Sequence, residues 1–117
     1  MNRGGPLEQG LPKEEILKKR KDFRRVLEHG KSWQSEHLRF FYKKANQRQV
    51  GFAVPKRLGK AVQRNRVKRL LREVYRMHRH AIESWQILVI AKDGARGVGL
   101  REIEREFVKF LDTNQKR

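Results

Sequence analysis

Arg64-Asn65-Arg66, followed by Lys68, Arg69 and Arg72, is the densest concentration of chemically capable side chains in this sequence. A guanidinium is a planar fork of N–H donors that can grip two phosphate oxygens at once and stack on an exposed base. From Lys56 to Arg79 there are ten basic residues and a single acid, Glu73. A solvated helical face alternates Lys with Glu at i,i+4. Here the acidic half is missing, and like charges at that spacing destabilise an isolated helix. The run therefore reads as a polyanion-binding element. Seven of its ten cations are guanidiniums (Arg57, Arg64, Arg66, Arg69, Arg72, Arg76 and Arg79), which favours RNA over a generic anion. Asn65 has two open readings, a polar contact to RNA and a capping or turn residue at the start of the helix.

A second set lies upstream. Arg39, Phe41 and Lys43 share one face of a strand-like segment, beside the small residues Gly51 and Ala53, with Phe23 placed to close one side. Cationic rims around an aromatic suit a single strand with unstacked bases, whereas duplex readout does not need that platform. A purely packing role for Phe23 and Phe41 is the competing reading.

Protein-based catalysis finds little support. The 13 carboxylates are scattered, mostly on expected outer helix faces, with no pair suited to general acid and base work. His78 and His80 are two apart on a helix and diverge, so they make a poor metal pair; His78 falls on the apolar stripe and reads as a satisfied imidazole. Ser32, Ser35 and Ser84 lack a neighbouring base, and the Gly94–Gly99 loop lacks the Lys-Ser/Thr ending of a phosphate loop. With no cysteine, thiolate metal sites, Cys nucleophiles and disulfides are excluded.

The elements that must position these residues follow from periodicity. Ile16, Leu17, Phe23, Val26 and Leu27 recur near helical spacing, which predicts a short helix over Asp22–His29 with Gly30 as its stop and a separate turn before it. Leu38, Phe40 and Tyr42 alternate with Arg39, Phe41 and Lys43, and Val50-Gly-Phe52-Ala-Val54 reads as a second strand closed by Pro55. These two predict an antiparallel hairpin, with room for a third strand elsewhere in 31–54. Lys60–His80 is the strongest helix, its Val67, Leu70, Leu71, Val74 and His78 within about 100° of arc. Ile87–Ala91 suits a strand buried on both faces. Leu100, Ile103, Phe107 and Leu111 mark a last helix whose outer face carries Glu102, Glu106 and Lys109. The pattern predicts an α+β fold, a small two-layer sandwich with helices packed on a mostly antiparallel sheet. Residues 1–12, with three Gly and two Pro, read as a flexible extension to a single RNA-binding domain over 13–117. The chain has 117 residues, 37% hydrophobic, and a formal net charge of +17, so one domain with a modest core and a polyanionic partner is expected. Apolar runs are too short to span a membrane, no signal-peptide stretch is present, and a cytoplasmic protein without membrane or DNA partners is the expectation.

The segment Val54-Pro-Lys56-Arg57-Leu-Gly59-Lys60-Ala-Val-Gln-Arg64-Asn65-Arg66-Val-Lys68-Arg69-Leu-Leu-Arg72-Glu73 resembles the signature of the bacterial ribonuclease P protein subunit. Asp22-Phe23 with Gly30, and Ile87–Ala91 followed by Lys92, resemble that family in order and spacing, and the likeness runs from about Ile16 to Leu111. The resemblance implies a ribosomal-protein-like sandwich with an unusual left-handed βαβ crossover, against the general preference. It implies a protein cofactor for a large catalytic RNA that, with Mg²⁺ bound mainly by the RNA, removes the 5′ leader from precursor tRNA. Carried over by position, Lys56, Arg57, Lys60, Arg64, Asn65, Arg66, Lys68, Arg69 and Arg72 would face the catalytic RNA. Phe23, Leu27 and Phe41, with Arg39 and Lys43, would line a cleft for the single-stranded leader. Leu27 departs from the aromatic often found there. The competing function is a structural, ribosomal-type RNA-binding protein without a processing role.

Overall fold

The computed structural model describes residues 11–115; the predicted extension lies outside them except for Leu11 and Pro12. Alternation sets the sheet. In β2 (Leu38–Lys44), Leu38, Phe40 and Tyr42 are buried while Arg39 is exposed and Phe41 and Lys43 are half-buried, the period of two of a strand with one face on a core. β4 (Trp85–Ala91) is buried continuously from Trp85 through Val89, as its apolar run predicts. With β1 (Lys31–Gln34), the third strand expected in 31–54, and β3 (Gln49–Ala53), they form a four-stranded sheet in the order β1-β2-β4-β3.

The β2–β3 hairpin expected from the sequence does not form. β1 and β2 are antiparallel neighbours, β4 pairs antiparallel with β2, and β3 pairs parallel with β4. β4 therefore sits where the hairpin partner was expected. The reason is burial: β4 is the most apolar strand, and a β2–β3 hairpin would have left its unpaired backbone and aliphatic side chains at an edge. β3 and β4 are adjacent and parallel, so the chain between them, α2 (Ala61–His78), is a crossover.

Each helix buries the stripe its spacing creates. α2 buries Val67, Leu71, Val74 and Tyr75, and α3 (Leu100–Asn114) buries Ile103, Phe107, Phe110 and Leu111. Both cover the Leu38–Phe40–Tyr42 face, where Phe40 and Phe110 stack at 4.1 Å and Phe52 meets Tyr75 edge-on. Each fully buried side chain of this kind contributes about 1.5–3 kcal/mol. His78 is satisfied as expected, its Nε2 lying 2.8 Å from Glu104 Oε2. α1 (Arg20–His29) lies on the opposite face, burying Val26 completely. Gly30 lets the end of α1 rest on β2: a Cβ there would sit 2.5 Å from the Val26 carbonyl oxygen and 2.7 Å from that of Tyr42. Leu11 is buried in the main core, so packing begins at least there, ahead of the boundary suggested by composition. Among the described residues no helix is long and apolar enough to cross a membrane.

Candidate nucleic-acid interface

α2 starts after Lys60, whose backbone N–H donates to Gln63 Oε1 at 2.9 Å. Gln63, not Asn65, thus serves the helix start; Asn65 is exposed on the next turn, which removes the capping reading. Helical geometry sorts the cations into two ridges. Arg64, Lys68 and Arg72 follow one another at i,i+4 along the border of the buried stripe and are half-buried; Asn65, Arg69 and Arg76 lie further out and are exposed. Lys56, Arg57 and Lys60 extend the surface along the exposed approach to the helix. Backbone oxygens orient some of these forks: Arg64 Nε donates to the Gly59 carbonyl at 3.1 Å, and Arg66 Nη1 donates to the Arg96 carbonyl at 3.4 Å. Among the described residues, three cations of the Lys56–Arg79 stretch meet carboxylates: Arg57 with Asp93 at 2.9 Å, Arg76 with Glu73, and Arg79 with Glu15. All the other predicted RNA-binding cations keep their charge unneutralised by protein acids, an arrangement stabilised only by solvent and an external anion.

The second surface is the sheet face beneath α1. Cross-strand register sets Ser32, Phe41, Leu88 and Gly51 in one row, flanked by Gln34-Arg39-Ile90-Ala53 on one side and Lys43-Gln86-Gln49 on the other. An apolar band thus runs between two bands carrying cations and amides. Arg39, Phe41 and Lys43 share this face as expected, but β4 separates them from Gly51 and Ala53, widening the floor to three strands. Leu88, Ile90 and Gln86 are therefore floor residues that sequence reasoning missed. The fully apolar run around Leu88 signalled burial on two sides without saying which neighbours flank it. Phe23 descends from α1 onto Gly51, close enough that a Cβ at Gly51 would lie 2.5 Å from its ring. Phe23 remains half-buried, and Leu27, one turn later, is 44% exposed. Hollows of about 520 Å³ and 360 Å³ continue the face at Asp22, Arg25 and Gln47, and at Ser32, Trp33 and Arg39.

With both surfaces in view, likeness to known proteins becomes informative. A family model described as Ribonuclease P matches residues 11–115. The chain belongs to the ribonuclease P protein family. It is 49% identical over 107 residues to the ribonuclease P protein component of Dictyoglomus turgidum, covering 87% of this chain and 90% of that one. It is 38% identical over 97 residues to that of Natranaerobius thermophilus, covering 80% and 84%. Among solved structures, a Staphylococcus aureus RNase P protein mutant with defective mRNA degradation activity superposes with a TM-score of 0.82 at 28% identity, covering 88% of this chain and 90% of that chain. The Thermotoga maritima RNase P protein gives 0.77 at 27% identity, covering 85% and 96%. A ribonuclease P protein is the protein component of a ribonucleoprotein endoribonuclease that acts in tRNA processing, with hydrolysis attributed to the RNA subunit.

Two carboxylates are turned inward, Glu15, for which the sequence carried no expectation, and Glu106, expected on an outer helix face. Glu15 is 8% exposed and accepts hydrogen bonds from Arg48 (Nε and Nη2, both 3.2 Å), Arg79 and Tyr75 Oη (2.9 Å). Burial pushes its carboxyl up, but the bonds from Arg79, Arg48 and Tyr75 outweigh it and hold the group down at about 2. Burial, then the bond to Glu15, pushes the Tyr75 phenol up. Arg79, the last cation of the Lys56–Arg79 run, is thereby spent on the fold. Glu106, expected on the outer face of α3, instead accepts bonds from Ser35 Oγ, the His37 backbone N–H (3.0 Å) and the His37 ring. Burial raises its carboxyl, and the bonds from Ser35 and His37 outweigh that and lower it. This clamp fixes the β1–β2 turn, whose Ser35 carbonyl accepts from Lys92 Nζ at 2.7 Å.

Proposed function

We propose that the chain assists the catalytic RNA of ribonuclease P in removing the 5′ leader from precursor tRNA by docking that RNA along α2 and holding the single-stranded leader across the sheet. The observation that carries this reading is the placement of two differently built surfaces on the two sides of one sheet. α2 presents arginine forks lacking protein counter-charges, suited to the phosphates of a structured RNA. The sheet presents an apolar band with Phe41 between polar and cationic bands, suited to a strand whose bases lie on the band while its phosphates meet the rims. Lys56, Arg57, Lys60, Arg64, Asn65, Arg66, Lys68, Arg69 and Arg72 would contact the catalytic RNA; Phe23, Leu27, Arg39, Phe41 and Lys43 would contact the leader. Because the surfaces are separate, both RNAs bind without competing, and each makes the other's local concentration high.

Mg²⁺ held mainly by the RNA would neutralise charge at the scissile phosphate. Among the described residues no group of three His, Cys, Asp or Glu side chains is placed together to hold a metal ion. The protein's contribution is electrostatic: its cations relieve the repulsion between two polyanions and lower the Mg²⁺ concentration at which cleavage runs. We place this activity in the cytoplasm, where the chain works as one RNA-binding domain. The test is cleavage of precursor tRNA at low Mg²⁺. Cleavage is expected only with catalytic RNA present, and protein should tighten the binding of precursor over mature tRNA. Equal affinity for the two would return the chain to a structural, ribosomal-type role, and cleavage of precursor by protein alone would overturn the division of labour.

A further inference from the structure

The end of the sheet where β1 and β4 begin and β2 ends carries a hollow of about 330 Å³ that adjoins the cleft through Lys43 and Lys44 and otherwise lies apart from both surfaces described above. Its rim is formed by His29, Lys31, Lys43 and Lys44, which come from α1, β1 and β2, and no carboxylate lines it. Convergence of the Lys31, Lys43 and Lys44 ammonium groups is unfavourable without a counter-ion, so the rim seeks an anion. The floor is aromatic. Tyr42 and Trp85 stack at 4.9 Å and both lean edge-on against Phe110, while Tyr42 Oη donates to Asn114 Oδ1 at 2.8 Å. Such a floor is rigid before any ligand arrives, which spares the ordering cost of binding.

Lys43 and Lys44 connect this hollow to the cleft, because both also line the 520 Å³ hollow beside α1. Successive strand residues point to opposite faces, so Lys43 belongs to the cleft face and Lys44 to the face bearing Trp85. Together they carry positive charge around the end of the sheet.

We propose that this hollow is a second nucleotide site, taking a base and phosphate of the single-stranded leader beyond the part held in the cleft. The site rests on the leader-binding reading and extends it. It is tested with the reconstituted holoenzyme and precursor tRNAs whose leaders grow one nucleotide at a time. Wild-type affinity rises in two steps with leader length. The Lys31→Ala/Lys44→Ala variant keeps the first step and its affinity for catalytic RNA, and loses the second, about tenfold. In a Trp33→Phe background, where Trp85 is the remaining tryptophan, its fluorescence changes at the second step only. An unchanged length profile in the double variant overturns the site. Equal loss with mature tRNA or with catalytic RNA alone also overturns it, assigning the lysines to the catalytic RNA. A wild-type profile with no length dependence at all overturns the leader reading itself, which separates the two failures.

Discussion

Phe23 and Gly51 share one contact that packs α1 onto the sheet and, under the proposed function, sets the wall of the leader cleft. The ring lies so near the Gly51 backbone that any Cβ must displace it. Gly51→Ala is expected to destabilise the fold by about 1–3 kcal/mol, read by chemical denaturation, and to weaken leader-dependent affinity by moving the cleft wall. Phe41→Ala should lower affinity for precursor tRNA while leaving catalytic-RNA binding nearly unchanged; equal loss in both assays would make Phe41 a packing residue only. Arg66→Ala should cost about 1–3 kcal/mol of RNA affinity and make its salt dependence shallower, measured by titration at several salt concentrations. Glu15 governs acid stability. Its carboxyl is held down at about 2 in the fold, against an ordinary value of 4.5. Its stabilisation is therefore complete above about 4.5 and is lost as pH falls toward 2. Glu15→Gln should cost about 2–4 kcal/mol near neutral pH and remove part of the wild-type stability slope between those values. Parallel curves for wild type and variant would contradict that sign.

At the scale of elements, the short turns around α2 are as informative as the helix. Arg57 bridges from the turn before α2 to Asp93 in the turn after β4, and Arg96 Nη1 donates back to the Leu58 carbonyl at 3.4 Å. Arg57 thus carries an internal competitor for phosphate. Asp93→Asn should raise affinity for catalytic RNA by less than about 1 kcal/mol, since the pair is well exposed, and leave thermal stability nearly unchanged. α2 was legible because its apolar residues repeat every three or four positions and its cations fill the complementary arc. α1 and the burial of β4 were legible for similar local reasons. The hairpin error arose because alternation tells which way a side chain points but not which strand lies alongside. The Glu15 cluster was missed because its partners are 33, 60 and 64 residues away in sequence. Gln86 and Leu88 entered the cleft only once β4 was known to lie between β2 and β3.

The whole molecule divides its charge by use. Thirty basic residues face 13 acidic ones, yet Arg48 and Arg79 are committed to Glu15, and His37 and His78 to carboxylates of α3. The remainder gives α2 and the cleft rims a strong positive field, so the holoenzyme affinity should fall steeply with salt, by a log–log slope of about 0.7–0.9 per phosphate neutralised.

The central position of β4 has a further consequence, for synthesis. Every other strand of the sheet is translated before it, and β2 and β3 have no common neighbour until Trp85–Ala91 has emerged. A growing chain can form the β1–β2 hairpin early, but the floor of the cleft exists only when the last strand inserts between partners already made. Ribosome-bound chains arrested before Trp85 should therefore expose basic helix without a cleft. The capacity to tell precursor from mature tRNA would then arrive in a single step, late in translation.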